Sequence, residues 1–110
     1  MPKRPGFVKV ATRSEIAPGT GKLVLAHDKP MALFNVNGEF YAINCICPHM
    51  GGPLSEGCLI GDTHVVACPW HAWTFDVRTG LPDHPGGHAV AAYEVKVEGD
   101  AILVGWLKKT

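Results

Sequence analysis

Two short segments of this 110-residue chain hold the residues with chemistry to offer. "CPHMGGPL" runs from Cys47 to Leu54, and "CPWHAWTF" runs from Cys68 to Phe75. Each opens on Cys-Pro and follows with a histidine, as Cys47-x-His49 and Cys68-x-x-His71, with eighteen residues between His49 and Cys68. One such residue alone is more often a buried thiol or a surface histidine. The repeated Cys-Pro…His setting argues instead for one shared site, with a thiolate and an imidazole from each segment. Tetrahedral zinc accepts two cysteines and two histidines, but zinc motifs usually pair Cys with Cys and His with His at short spacing. The mixed order suits a two-iron centre, with both thiolates on one iron and both imidazoles on the other.

The remaining residues must hold these segments face to face, and their pattern is β throughout. "FVKVA" (7–11), "KLVLAH" (22–27) and "THVVA" (63–67) are short apolar runs with β-branched residues. "PMALFNVNGEFYAIN" places two such runs around Asn37-Gly38, a strong hairpin signal because both residues tolerate positive φ. "YEVKVEGDAILV" makes a second hairpin around Gly99-Asp100, and "WTFDVRTGLP" reads as a strand ending in a turn at Thr79-Gly80. "SEIAPGT" (14–20) suits one helical turn capped by Ser14. The two Cys-Pro segments follow the strands "FYAIN" and "HVVA", so two loops leaving strand ends can close a site between them. The expected fold is all-β, a small antiparallel sandwich or barrel forming a single domain over 1–110.

Composition narrows the function. Hydrophobic residues are 46% and charged residues 18%, a globular balance. Ten basic and ten acidic residues cancel, leaving no basic field for nucleic acid. No signal peptide is read in "MPKRPGFVKV", and no apolar run approaches the roughly 18 residues of a membrane span. The expected location is the cytoplasm, where four cysteines favour metal or redox chemistry over disulfides.

The paired motif, with "CPHMGGPLSEG", "CPWHAWTFDVRTG" and the closing "GGHAVAAYEVKVEGDAILV", resembles the Rieske [2Fe–2S] family over roughly residues 7–104. The resemblance implies three antiparallel β-sheets and a cluster-binding lobe over about residues 45–85. It implies one [2Fe–2S] cluster per chain, held by Cys47, His49, Cys68 and His71. Gly51 and Gly52 would let backbone N–H groups approach the sulfides. Pro48 and Pro69 would stiffen the loops, and Trp70 and Trp73 would shield the site. Pro82 and Pro85 would belong to a third loop over it. In high-potential members a disulfide joins positions that are Gly52 and Trp70 here, so that bridge is absent. The serine and tyrosine that hydrogen-bond the cluster in those members correspond to Trp73 and Phe75. Cys45 and Cys58 are read as structural thiols; His27, His64, His84 and His88 are given no role.

The resemblance further implies a one-electron carrier with no catalytic site of its own. It would shuttle electrons from a flavin-dependent NAD(P)H reductase to a terminal oxygenase, with transient docking at His49 and His71. No GxGxxG and no second iron triad accompany the motifs, so neither a nucleotide-binding domain nor an oxygenase active site is read here. Two alternatives stand beside this reading: the small subunit of an NAD(P)H-dependent nitrite reductase, and a zinc-stabilised binding module without redox function.

Overall fold

The computed structural model describes residues 6–45, 57–60, 63–67, 74–82 and 89–107. Nine strands lie among them: β1 (Val8–Thr12), β2 (Gly21–Ala26), β3 (Lys29–Val36), β4 (Glu39–Asn44), β5 (Cys58–Leu59), β6 (Val65–Ala67), β7 (Thr74–Asp76), β8 (Ala92–Glu98) and β9 (Ala101–Leu107). A six-stranded antiparallel sheet runs β1-β9-β8-β4-β3-β2, and a three-stranded sheet runs β5-β6-β7. The larger sheet is two three-stranded ladders joined by only two residue pairs, Ala42↔Tyr93 and Ile43↔Ala92. With β5-β6-β7, the blocks β1-β9-β8 and β4-β3-β2 make three antiparallel groups among the described residues, the latter two continuous through the β4–β8 pairing. The edge strands β1 and β2 approach one another, giving the six-stranded sheet a barrel-like curl.

The curl encloses one core. Val24, Met31, Leu33, Phe40, Tyr93, Ile102 and Val104 fill it from five strands of the sheet's inner face. The opposite face of β3 and β4 is also covered. Ala32, Phe34 and Ile43 pack against Val66, Phe75 and Val77 of the smaller sheet and the turn after it. This is why every residue of β3 from Met31 to Val36 is buried: strand alternation feeds one core and then the other.

The turns follow residue chemistry. Asn37 and Gly38 take φ of 54° and 93°, as the hairpin signal requires, and Gly99 takes 60°. The β2–β3 turn uses His27 and Asp28 at φ 53° and 62°. Neither is glycine, so this turn carried no strong sequence signal. The helical turn is a three-residue 3-10 segment, Arg13–Glu15, and its cap is Thr12 rather than the expected Ser14. The Glu15 carboxylate accepts from the Thr12 N–H at 3.2 Å, a reciprocal arrangement that fixes the boundary two residues earlier. Asn35 is the one buried polar side chain among the described residues. Its carboxamide donates to Ile16 O at 2.8 Å and accepts from the Gly38 N–H at 2.8 Å, tying the 16–20 segment to the hairpin. Among the described residues no helix is long and apolar enough to cross a membrane.

Candidate metal centre

Cys47, His49, Cys68 and His71 lie outside the described residues, as do Gly51, Gly52, Trp70, Trp73, Pro85, His84 and His88. The structure does describe the chain that enters and leaves their segments. Ala67, immediately before Cys68, pairs with Cys58 on one side and with Thr74 on the other. Cys58 is where the chain returns from the first segment; Thr74 is where it returns from the second. One rung of the small sheet therefore holds three of the four ends of the two Cys-Pro segments.

The fourth end is Cys45, two residues before Cys47. It is 2% exposed and belongs to the apolar cluster that contains Val66 and Phe75. Its N–H donates to Pro30 O at 3.1 Å, extending the β3–β4 ladder by one rung. Cys45 is thus a core thiol at the root of the first segment. Cys58 contributes a ladder position to β5, a two-residue strand too short to be read from sequence.

A third segment, 83–88, is rooted at the same place. Pro82 bridges to Phe75, and on the far side Val90 N–H donates to Gly80 O at 2.8 Å. Gly80 has φ 77°, and a Cβ there would collide with Val90 O, so glycine is required by both torsion and space. No local sequence signal links Gly80 to Val90; the partner is ten residues on.

The other end of the small sheet is polar. Asp76 binds Arg78 at 2.7 and 3.1 Å, and these hydrogen bonds hold its carboxyl below the ordinary carboxylate value despite partial burial. His64, given no role from sequence, packs edge-on against Tyr41 with ring centroids 5.4 Å apart, and burial raises the Tyr41 phenol. Among the described residues no three His, Cys, Asp or Glu side chains converge to hold a metal.

The segments that meet at the rung supply two thiols and two imidazoles, a donor set that fits a two-iron, two-sulfide centre. The family model for the Rieske [2Fe-2S] domain matches residues 6–102. The chain belongs to the Rieske [2Fe-2S] domain family. The Rieske domain therefore carries one [2Fe–2S] cluster, and the zinc-stabilised module is set aside. It is 36% identical to "Ferredoxin CarAc" of Metapseudomonas resinovorans, over 94% of this chain and 96% of that one. A chain in the solved structure "Complex of reduced oxygenase and oxidized ferredoxin in carbazole 1,9a-dioxygenase" superposes with TM-score 0.82 at 35% identity, covering 94% of the Rieske domain and 96% of that chain. It also matches "Apoptosis-inducing factor 3" of Homo sapiens at 38% identity over 82% of its own length, but spans only 13% of that relative.

Proposed function

We propose that this Rieske domain is a ferredoxin, a one-electron carrier between a flavin-dependent NAD(P)H reductase and a terminal oxygenase. Its relatives include a ferredoxin of nearly equal length and a ferredoxin chain solved together with its oxygenase. The observation that carries the reading is the shared Cys58–Ala67–Thr74 rung, which roots both Cys-Pro segments on one sheet. We assign Cys47 and Cys68 as thiolate ligands and His49 and His71 as imidazole ligands. They sit in a lobe of about residues 45–85 within one domain over 1–110.

When bound, the cluster takes up and releases one electron. Two thiolates and two neutral imidazoles leave the oxidised centre near neutral charge, whereas four thiolates would make it more negative. We further propose that each partner docks over His49 and His71, in a small and transient interface. The compartment that fits an NAD(P)H-fed carrier is the cytoplasm.

Trp73 and Phe75 stand where high-potential members have hydroxyl donors to the cluster. Without those donors the potential falls near the low end of the family's range of about −150 to +300 mV, suited to a reduced flavin as donor. The test is a redox titration followed by EPR, with a reductase–oxygenase turnover assay. A midpoint near or below −100 mV (roughly the lower part of that range) and restored turnover are expected. A midpoint well above zero would overturn the ferredoxin role.

A further inference from the structure

Asn37 and Gly38 form the exposed tip of the β3–β4 hairpin. Asparagine before glycine is the pairing most open to spontaneous deamidation, because glycine has no side chain to obstruct its own amide nitrogen. In that reaction the Gly38 nitrogen loses its proton and attacks Cγ of Asn37. The Cγ–Nδ2 bond breaks, ammonia leaves, and a five-membered succinimide remains. Water then opens one of the two carbonyls, giving aspartate or isoaspartate. No electrons are exchanged. Isoaspartate inserts Cβ into the backbone, so a two-residue turn that fixes six pairs from Met31↔Asn44 to Val36↔Glu39 gains an extra atom.

In this fold the attacking nitrogen is occupied. The Gly38 N–H donates to Oδ1 of Asn35 at 2.8 Å. Asn35 is only 4% exposed and is held on three further sides. Its Nδ2 donates to Ile16 O at 2.8 Å, its N–H donates to Thr20 O at 3.0 Å, and its C=O accepts from the Gly19 N–H at 2.8 Å. The acceptor cannot follow the Gly38 nitrogen as it swings toward the Asn37 side chain, so attack requires breaking this bond.

We propose that Asn37 is a latent deamidation site, kept closed by the buried carboxamide of Asn35 through its hydrogen bond with the Gly38 N–H. Losing one hydrogen bond of ordinary net strength corresponds to about a two- to tenfold change in rate. This inference is independent of the redox reading.

The test uses the holoprotein aged at mildly alkaline pH, with Asn37 conversion followed by peptide mass and isoaspartate methylation. Asn35→Ala removes both the donor to Ile16 and the acceptor for Gly38. Asn35→Asp removes only the donor, since its carboxylate still accepts. The wild type and Asn35→Asp should convert slowly, and Asn35→Ala about two- to tenfold faster, approaching the rate of the denatured chain. Equal rates in folded wild type and Asn35→Ala, or equal fast rates in both variants, would overturn the proposal. If Asn35→Ala does not fold, amide exchange of Gly38 in the wild type decides. Protection at this exposed tip supports the proposal, and an unprotected rate refutes it.

Discussion

Phe75 follows His71 by four residues and is 0% exposed, one position along β7 from the rung that closes the second Cys-Pro segment. It stands where high-potential members carry a tyrosine whose hydroxyl bonds the cluster. Phe75→Tyr should therefore raise the potential. A hydrogen bond to a charged acceptor is worth roughly 1.5–3 kcal/mol, and about 2.3 kcal/mol corresponds to 100 mV, so the rise is some tens of millivolts and at most about 130 mV. Overpacking costs about 1–3 kcal/mol of stability. An EPR-monitored titration with no shift and full cluster content would remove the hydroxyl argument. The cysteines separate by the same logic. Cys47→Ser or Cys68→Ser should lose bound iron and sulfide, because metal binding and folding of the segments are coupled. Cys45→Ser should retain both, while a hydroxyl in its apolar cluster costs about 1–3 kcal/mol. Iron and sulfide analysis beside a denaturant titration checks the three variants.

Turns show where the sequence spoke and where it did not. Asn37-Gly38 and the turn at Gly99 were legible because Asn37, Gly38 and Gly99 stand at positive φ, where few residues are tolerated. His27-Asp28 makes the same kind of turn with residues that tolerate it less well, and only pairing of the flanking strands enforces it. The cap at Thr12 was missed for a related reason: Ser14 is an equally good capping residue, and the choice depends on which oxygen reaches which N–H. The four residues proposed as ligands were the clearest signal of all, whereas Gly80 and Val90, which anchor the third segment, meet only in the fold. Two glycines make this testable. Gly99 has φ 60° with open space around it, while Gly80 meets Val90. Gly99→Ala should cost about 1–2 kcal/mol for the torsion alone. Gly80→Ala should cost about 2–4 kcal/mol, torsion plus clash, by chemical denaturation. The Asp76–Arg78 pair gives a pH signature. Asp76 has a folded pKa below its ordinary value, so its contribution is present above the unfolded pKa of about 3.9 and is lost as pH falls through the folded value. The stability difference between wild type and Arg78→Gln should thus be present at neutral pH and fade below about pH 4, measured by thermal unfolding across pH.

At the scale of the molecule, equal numbers of acidic and basic residues leave no net charge to steer a partner from a distance. Reduction of an oxygenase by the proposed carrier should depend only weakly on ionic strength, which stopped-flow rates at several salt concentrations would check. The chain's path carries a second consequence. The Asn44 N–H donates to Ala91 O at 2.8 Å, so β4 and β8 are neighbours although the small sheet and all three rooted segments lie between them. Every buried residue of the barrel core falls outside that excursion. In topological terms the barrel is a meander, β2-β3-β4-β8-β9, with the redox apparatus spliced into one of its hairpin bends. Such an insertion is a cassette: its two ends are one hydrogen bond apart, so it can be cut out or moved to another barrel without threading the chain. Replacing residues 45–91 with a short turn, and Phe34 and Ile43 with polar residues because their cover is gone, should leave a folded, colourless β-barrel.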